Sequence, residues 1–459
     1  MTLSKFAIPA AIAIGVLVAF GFVLRGALHR RATARPAHAV QPSATPVLAT
    51  PADARIQAAQ QMIAKSPNKP EGYNLLASAF MQKARETGDF GFNSRAEGVL
   101  NRAVEVDPEN YDAIKLRAKL LLTYHRFSAA LEVAHRAQAI RPDDHDNYGA
   151  ITDANVELGD YPAAIAAAQK MVDLRPDSAS YARVSYLRSL HGDGEGAIEA
   201  MKVAVKAANP NDPEAAAWCR VHLGDELMSN GKRREAEQEY DNALYFFPDY
   251  PLALAAKARA LVAAGNFGDA VKFYERAQNR VPLPDTAVAL GDLYARLGRA
   301  DDAKREYDLV EFVERNSAAS GTYSRQLAMF WADHDVNIEE ALAIAQRERS
   351  DRRDIYTCDA LAWILFKNHR LDEAKKSVEE ALRLGTRDAR LYYHAGMIYN
   401  ELGDRQSAIR YLNLALQTNS NFDVMQAELA KKSLAALKSD RRRTPDSLRA
   451  SDAVISRAE

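Results

Sequence analysis

An all-α solenoid of stacked helix pairs, preceded by one transmembrane helix, is the fold class that this 459-residue sequence predicts. Three observations carry the prediction. An alanine recurs at Ala96, Ala130, Ala164, Ala197, Ala236, Ala270, Ala303, Ala341, Ala374 and Ala408, at intervals of 34, 34, 33, 39, 34, 33, 38, 33 and 34 residues. Five residues before this beat stands glycine at Gly91, Gly159, Gly192, Gly231, Gly265, Gly298 and Gly403, with His125, Val336 and His369 as departures. Twelve residues after it stands proline at Pro108, Pro142, Pro176, Pro248 and Pro282. A constant period near 34 residues marks similar small units stacked in a line, each touching its neighbours.

In chain order, residues 1–25 read as a membrane anchor. Phe6 to Leu24 is a run of 19 residues without charge, about 28 Å as a helix and long enough for a bilayer core. The rival is a cleaved signal peptide ending near Ala37-His38-Ala39. That site lies well behind the apolar run, past Arg25, Arg30, Arg31 and Arg35, which favours a retained anchor. Ala11, Gly15 and Ala19 form a small-residue stripe that could pair two such helices, so a homodimer is one expected assembly. Residues 26–53 form an Ala/Pro linker, semi-rigid and extended. The arginines behind the run favour repeats on the cytoplasmic face of an inner membrane, crossed once. Ala/Pro spacers of this kind also follow anchors of periplasmic proteins, so that face stays open.

Residues 54–422 hold about ten units. The residue twelve before the beat is small in all but one of these units (Ala118, Thr152, Ser185, Gly224, Ala258, Gly291, Met329, Ala362, Gly396), so a first helix can approach the second closely. Glycine between them takes the left-handed cap without a Cβ penalty. Proline after the second helix stops it, and the acidic or amide residues behind it supply turn and cap chemistry. Extra residues are expected as loops around Thr87–Phe92, Asn209–Pro213 and Asn316–Gly321, and the unit of Ala341 is the most degenerate. Residues 423–438 are expected to be a capping helix and 439–459 a disordered tail.

The units around Leu290-Gly291-Asp292-Leu293-Tyr294 with Gly298, and Tyr392-Tyr393-His394-Ala395-Gly396 with Tyr399 and Gly403, resemble the tetratricopeptide repeat (TPR) family. The resemblance covers roughly 54–438. It implies a right-handed superhelix whose first helices line a concave surface through repeat positions 2, 5, 9, 12 and 13. It also implies a bacterial membrane-anchored scaffold for protein or peptide partners, in envelope assembly or regulation. The alternative is a periplasmic carrier or export factor for polysaccharide or secreted protein.

A net charge of −1 offers no field for nucleic acid, and no nucleic-acid partner is expected. Cys219 and Cys358 lie four units apart and make neither disulfide framework nor zinc site. No phosphate loop, nucleophile elbow, H-E-x-x-H or C-x-x-C pattern occurs, so neither enzyme activity, cofactor nor metal is expected.

Mapped onto the concave positions, two late units supply an apolar groove with polar edges: Tyr356, Asp359, Trp363 and Phe366, then Arg390, Tyr393, Met397 and Asn400. These eight are the expected partner site. Aromatic anchors carry most of the energy of typical protein contacts, and Trp363 has no evident packing slot. The competing reading is that the aromatics pack between neighbouring helices. A sparser patch is Trp218, Asp225, Met228 and Arg259.

Overall fold

The recurring alanines work as spacers. In a computed structural model, which describes residues 51–318 and 325–440, each of the ten is at most 3 % exposed. Each lies in the second helix of a pair, where only a methyl group fits. Among the described residues there are 22 helices and no strand. A lone helix α1 (Pro51–Lys65) leads. Ten pairs follow: α2 (Pro70–Thr87) with α3 (Gly91–Val106), α4 (Tyr111–Thr123) with α5 (Phe127–Ile140), α6 (His145–Leu158) with α7 (Tyr161–Leu174), α8 (Ser178–Leu190) with α9 (Gly194–Ala207), and α10 (Pro213–Ser229) with α11 (Arg233–Phe246). Then come α12 (Pro251–Ala263) with α13 (Phe267–Arg280), α14 (Pro284–Arg296) with α15 (Ala300–Ala318), α16 (Arg325–Asp333) with α17 (Ile338–Asp351), α18 (Ile355–Lys367) with α19 (Leu371–Ala381), and α20 (Ala389–Glu401) with α21 (Arg405–Thr418). Helix α22 (Gln426–Asp440) ends the stack.

Six first helices begin on side-chain caps, while α2, α12 and α14 begin on proline. Asn110, Asp144, Asp177, Asp212, Asp354 and Asp388 each accept a backbone N–H of the turn they open, which stabilises a helix start by about 1 kcal/mol. Apart from Gly91 and Val336, the residues five before the beat have left-handed backbone as expected, the histidines included: φ is 57° at His125 and 58° at His369, while Asp335 and Asn337 take that conformation on either side of Val336. Gly91 departs from the pattern. The extra residues of the first unit lengthen α2 so that Gly88 is its left-handed cap, and Gly91 opens α3.

The small residue twelve before the beat has a sharper purpose than backbone approach. At Gly224 and Gly291 an added Cβ would stand 2.3 and 2.5 Å from the rings of Tyr240 and Tyr307. Both tyrosines come four residues after the beat, so glycine makes room for a ring from the second helix.

The described residues of Thr50–Glu459 belong to one unit, and its stack winds until successive coils meet. Arg353 N–H donates to Glu157 O at 3.0 Å, Ile355 N–H donates to the Tyr161 hydroxyl at 3.0 Å, and Thr386 donates to Leu190 O. Arg352, 7 % exposed, pairs with Glu157 across this seam and with Glu348 at 2.7 Å on its own coil. One apolar cluster draws Val156, Tyr161, Leu187 and Leu190 from the earlier coil and Ile355, Cys358 and Leu391 from the later one. Gly159 and Gly192 allow the approach. An added Cβ would lie 2.5 Å from Arg353 O and 2.6 Å from Gly385 O.

The membrane assignment needs correction. Among the described residues no helix is long and apolar enough to cross a membrane. The expected anchor over 6–24, its pairing stripe, and the linker before residue 51 lie outside the described residues, as does the tail from 441. A single-pass inner-membrane location is therefore not retained.

Candidate functional site

The eight expected residues do come together on α18 and α20, but as two groups with different roles. Trp363 is 2 % exposed and has a packing slot after all. Its ring stacks on His394 at 4.3 Å and Phe366 at 5.0 Å, and its indole N–H donates to Asp333 Oδ1 at 2.8 Å. Asp359 is buried and accepts from His394 Nδ1 at 2.9 Å. Tyr393 is buried against Trp363 and Phe422. These three hold the two units together. Tyr356, Phe366, Met397 and Asn400 are half-buried and Arg390 is exposed, so these five remain reachable.

Tyr356 shows what it faces. Burial first, then Asp388, Tyr186, Glu226 and Asp359, push its phenol well above the ordinary value. Tyr186 lies on α8 and Glu226 on α10, so first helices some five units apart look into one interior. The reachable residues of its earlier part include Tyr186 at 42 %, Trp218 against His222 with ring centres 4.0 Å apart, and Arg259. Trp218 and Arg259 belong to the patch read from sequence; Tyr186 and His222 were missed there. Tyr186 holds the same register position as Trp363, eleven before the beat, which was the available signal.

Acid–base pairs between neighbouring first helices recur along this interior. Arg183 grips Asp153 with two bonds of 2.8 and 2.6 Å, Arg259 pairs with Asp225 at 2.9 Å, and His334 with Asp292 at 2.8 Å. His394 with Asp359 completes a series at every second junction. Asp153, Asp225 and Asp292 all stand eleven before the beat. Each pair sets the spacing of two first helices and leaves few charges unspent. Arg390 is held charged against the pull of burial by Asp333, Asp423, Asp388 and Asp359. Both cysteines are buried and free, and burial pushes the Cys219 thiol up to about 11. A surface cleft of about 440 Å³ lies away from this interior, on the seam beside Arg349, Arg353 and Arg383.

A family model described as tetratricopeptide repeat matches residues 81–145, 153–213, 221–283 and 360–423, more than half of the chain. The chain belongs to the tetratricopeptide repeat family. The stretch between the last two matches contains the degenerate unit of Ala341. Among solved structures, the TPR chain resembles one in the Cut9–Hcn1 hetero-tetramer of the APC/C at 14 % identity, covering 83 % of this chain and 92 % of that one, TM-score 0.37. It resembles yeast Tom70 at 14 % identity, covering 87 % and 95 %, TM-score 0.38. It also resembles human IFIT1, solved as a dimer with PPP-AAAA, at 16 % identity, covering 72 % and 77 %, TM-score 0.45. At such identities and superpositions no ligand or partner carries over. No curated protein matches by sequence.

Proposed function

We propose that this TPR protein is a non-catalytic adaptor that holds an extended segment of a protein partner inside its superhelix. One observation carries the proposal: coils that touch at the seam leave an interior lined by reachable aromatic and cationic side chains, Tyr186, Trp218, His222, Arg259, Tyr356 and Arg390 among them. An extended chain presents backbone groups and alternate side chains to successive first helices. From the expected site, Tyr356, Phe366, Arg390, Met397 and Asn400 stay in the proposal as contact residues. Asp359, Trp363 and Tyr393 enter it as the packing that holds them. Membrane attachment and an envelope role find no support and are left out.

The test is a photo-crosslinking amino acid placed at Trp218 or Tyr186, with Tyr245 of α11, 83 % exposed on a second helix, as the outside control. Partner peptides should crosslink from the first two positions and not from the third. Equal crosslinking from all three would refute an interior site.

A further inference from the structure

One part of the concave surface already has an occupant. The segment Asn421–Gln426, between α21 and α22, lies across first helices of four units. Asn421 Nδ2 donates to Ala263 O at the end of α12, at 3.1 Å. Arg296 at the end of α14 reaches Val424 O at 3.5 Å. Arg390 of α20 pairs with Asp423 Oδ2 at 3.0 Å, and Gln426 Nε2 donates to Asp333 Oδ1 of α16 at 2.6 Å. The Phe422 ring packs on Tyr393 at 5.4 Å, and Val424 packs on the cluster around Leu290 and Tyr274. Ala263 and Arg296 stand seven before their beats, Asp333 eight, Arg390 eighteen and Tyr393 fifteen. All five are positions that this repeat turns to its concave side. The segment is thus a peptide bound in cis, with one backbone carbonyl read by arginine, one aromatic anchor and one carboxylate.

From this we infer that the concave surface of α12, α14, α16 and α20 is a site for a short acidic–aromatic peptide, and that residues 421–426, which lie there as a run of turns, occupy it until such a peptide displaces them. The inference rests on the adaptor reading and adds the partner's chemistry: an aromatic residue, an acid directly after it, then an aliphatic one. Asp423 is also tied to the start of α22, since its Oδ1 accepts the Met425 and Gln426 N–H groups at 2.8 Å. Displacement therefore frays the first turn of α22.

The probe is a fluorescent peptide of this chain's own residues 418–428, added to the full-length protein. Phe422→Ala with Asp423→Ala should free the site, and the peptide should bind that variant at least tenfold more tightly than the wild type, by fluorescence anisotropy. Adding Arg390→Ala, or replacing the peptide's acid by Asn, should remove the gain. In the unmodified protein, excess peptide should speed hydrogen exchange at the Met425 and Gln426 amides, a readout that does not require the variant to fold. Equal affinity for both proteins, or no binding together with no change in exchange, overturns the inference. The failures are separable. If interior crosslinks form but this peptide does not bind, only the assigned chemistry falls. If the peptide binds but no partner crosslinks from Trp218 or Tyr186, the adaptor reading falls.

Discussion

At the scale of single residues, small and large side chains are matched across each helix pair. Gly291→Leu should force the Tyr307 ring aside, since even a Cβ would stand 2.5 Å from it. The expected cost is about 1–3 kcal/mol, read as a lowered midpoint in urea; an unchanged midpoint would mean the ring has room to move. Trp363→Ala should cost about 3–5 kcal/mol because a buried indole leaves a cavity and takes from Asp333 Oδ1 one of its two donors, the other being Gln426. Loss of partner capture at full stability would show instead that the indole itself meets the partner. His334 gives a pH test. Burial pulls its pKa down, but the hydrogen bond and charge of Asp292 outweigh burial and leave it raised above 6.5. A raised folded pKa means that proton binding favours the fold. That stabilisation is complete below the unfolded value of about 6.5 and is lost as pH rises through the folded one. The melting point should fall as pH rises above about 6.5, more in the wild type than in Asp292→Asn. An equal fall in both would remove the pair from the explanation. The tyrosines behind the glycines were not legible in advance, because a glycine advertises space without saying what fills it.

At the scale of elements, the all-helical solenoid was readable, and the roles of the aromatics were not. The period exposes the helix pairs directly, since every unit must repeat the same spacer alanine and the same left-handed turn. Even the departures His125 and His369 adopt that turn. Gly91 misled because an insertion moved the turn to Gly88 while leaving the beat intact. Concave positions are likewise a matter of register, which put Tyr356 on α18 and Arg390 on α20. Register could not tell that Trp363 would turn to Asp333 and His394, because that depends on α16 in the most degenerate unit. The pair α16–α17 has left-handed residues at Asp335 and Asn337 rather than a glycine, and it lies outside the matched family segments. Asn337→Gly should relieve the left-handed strain and stabilise the chain by up to about 1–2 kcal/mol, checked by thermal melting. No gain would mean that the Asn337 side chain offsets the backbone cost.

At the scale of the whole described unit, the seam decides the behaviour. It joins residues 195 apart through Arg352 and Glu157, a separation no periodicity reveals. Two glycines with nearly the same backbone isolate its contribution. Gly192 (φ 77°) would put a Cβ 2.6 Å from Gly385 O, whereas Gly231 (φ 74°) has nothing within 4 Å. Leu at either adds the same left-handed strain. Only Gly192→Leu should open the coils, seen as a larger radius of gyration in X-ray scattering with unchanged helical signal. Equal radii for the two variants would mean that the coils do not need contact there. Arg352→Ala should cost about 3–5 kcal/mol, because it leaves Glu157, Glu348 and Asp354 around an empty place. The seam also has a consequence for synthesis. At about 5–20 residues per second, Tyr161 and Leu190 leave the ribosome on the order of 10–40 s before the residues that cover them. During that interval a half-built stack shows an apolar edge to water. That edge is open on nascent chains long enough to include Leu190 and too short to include Ile355, where a chaperone of nascent chains could cover it.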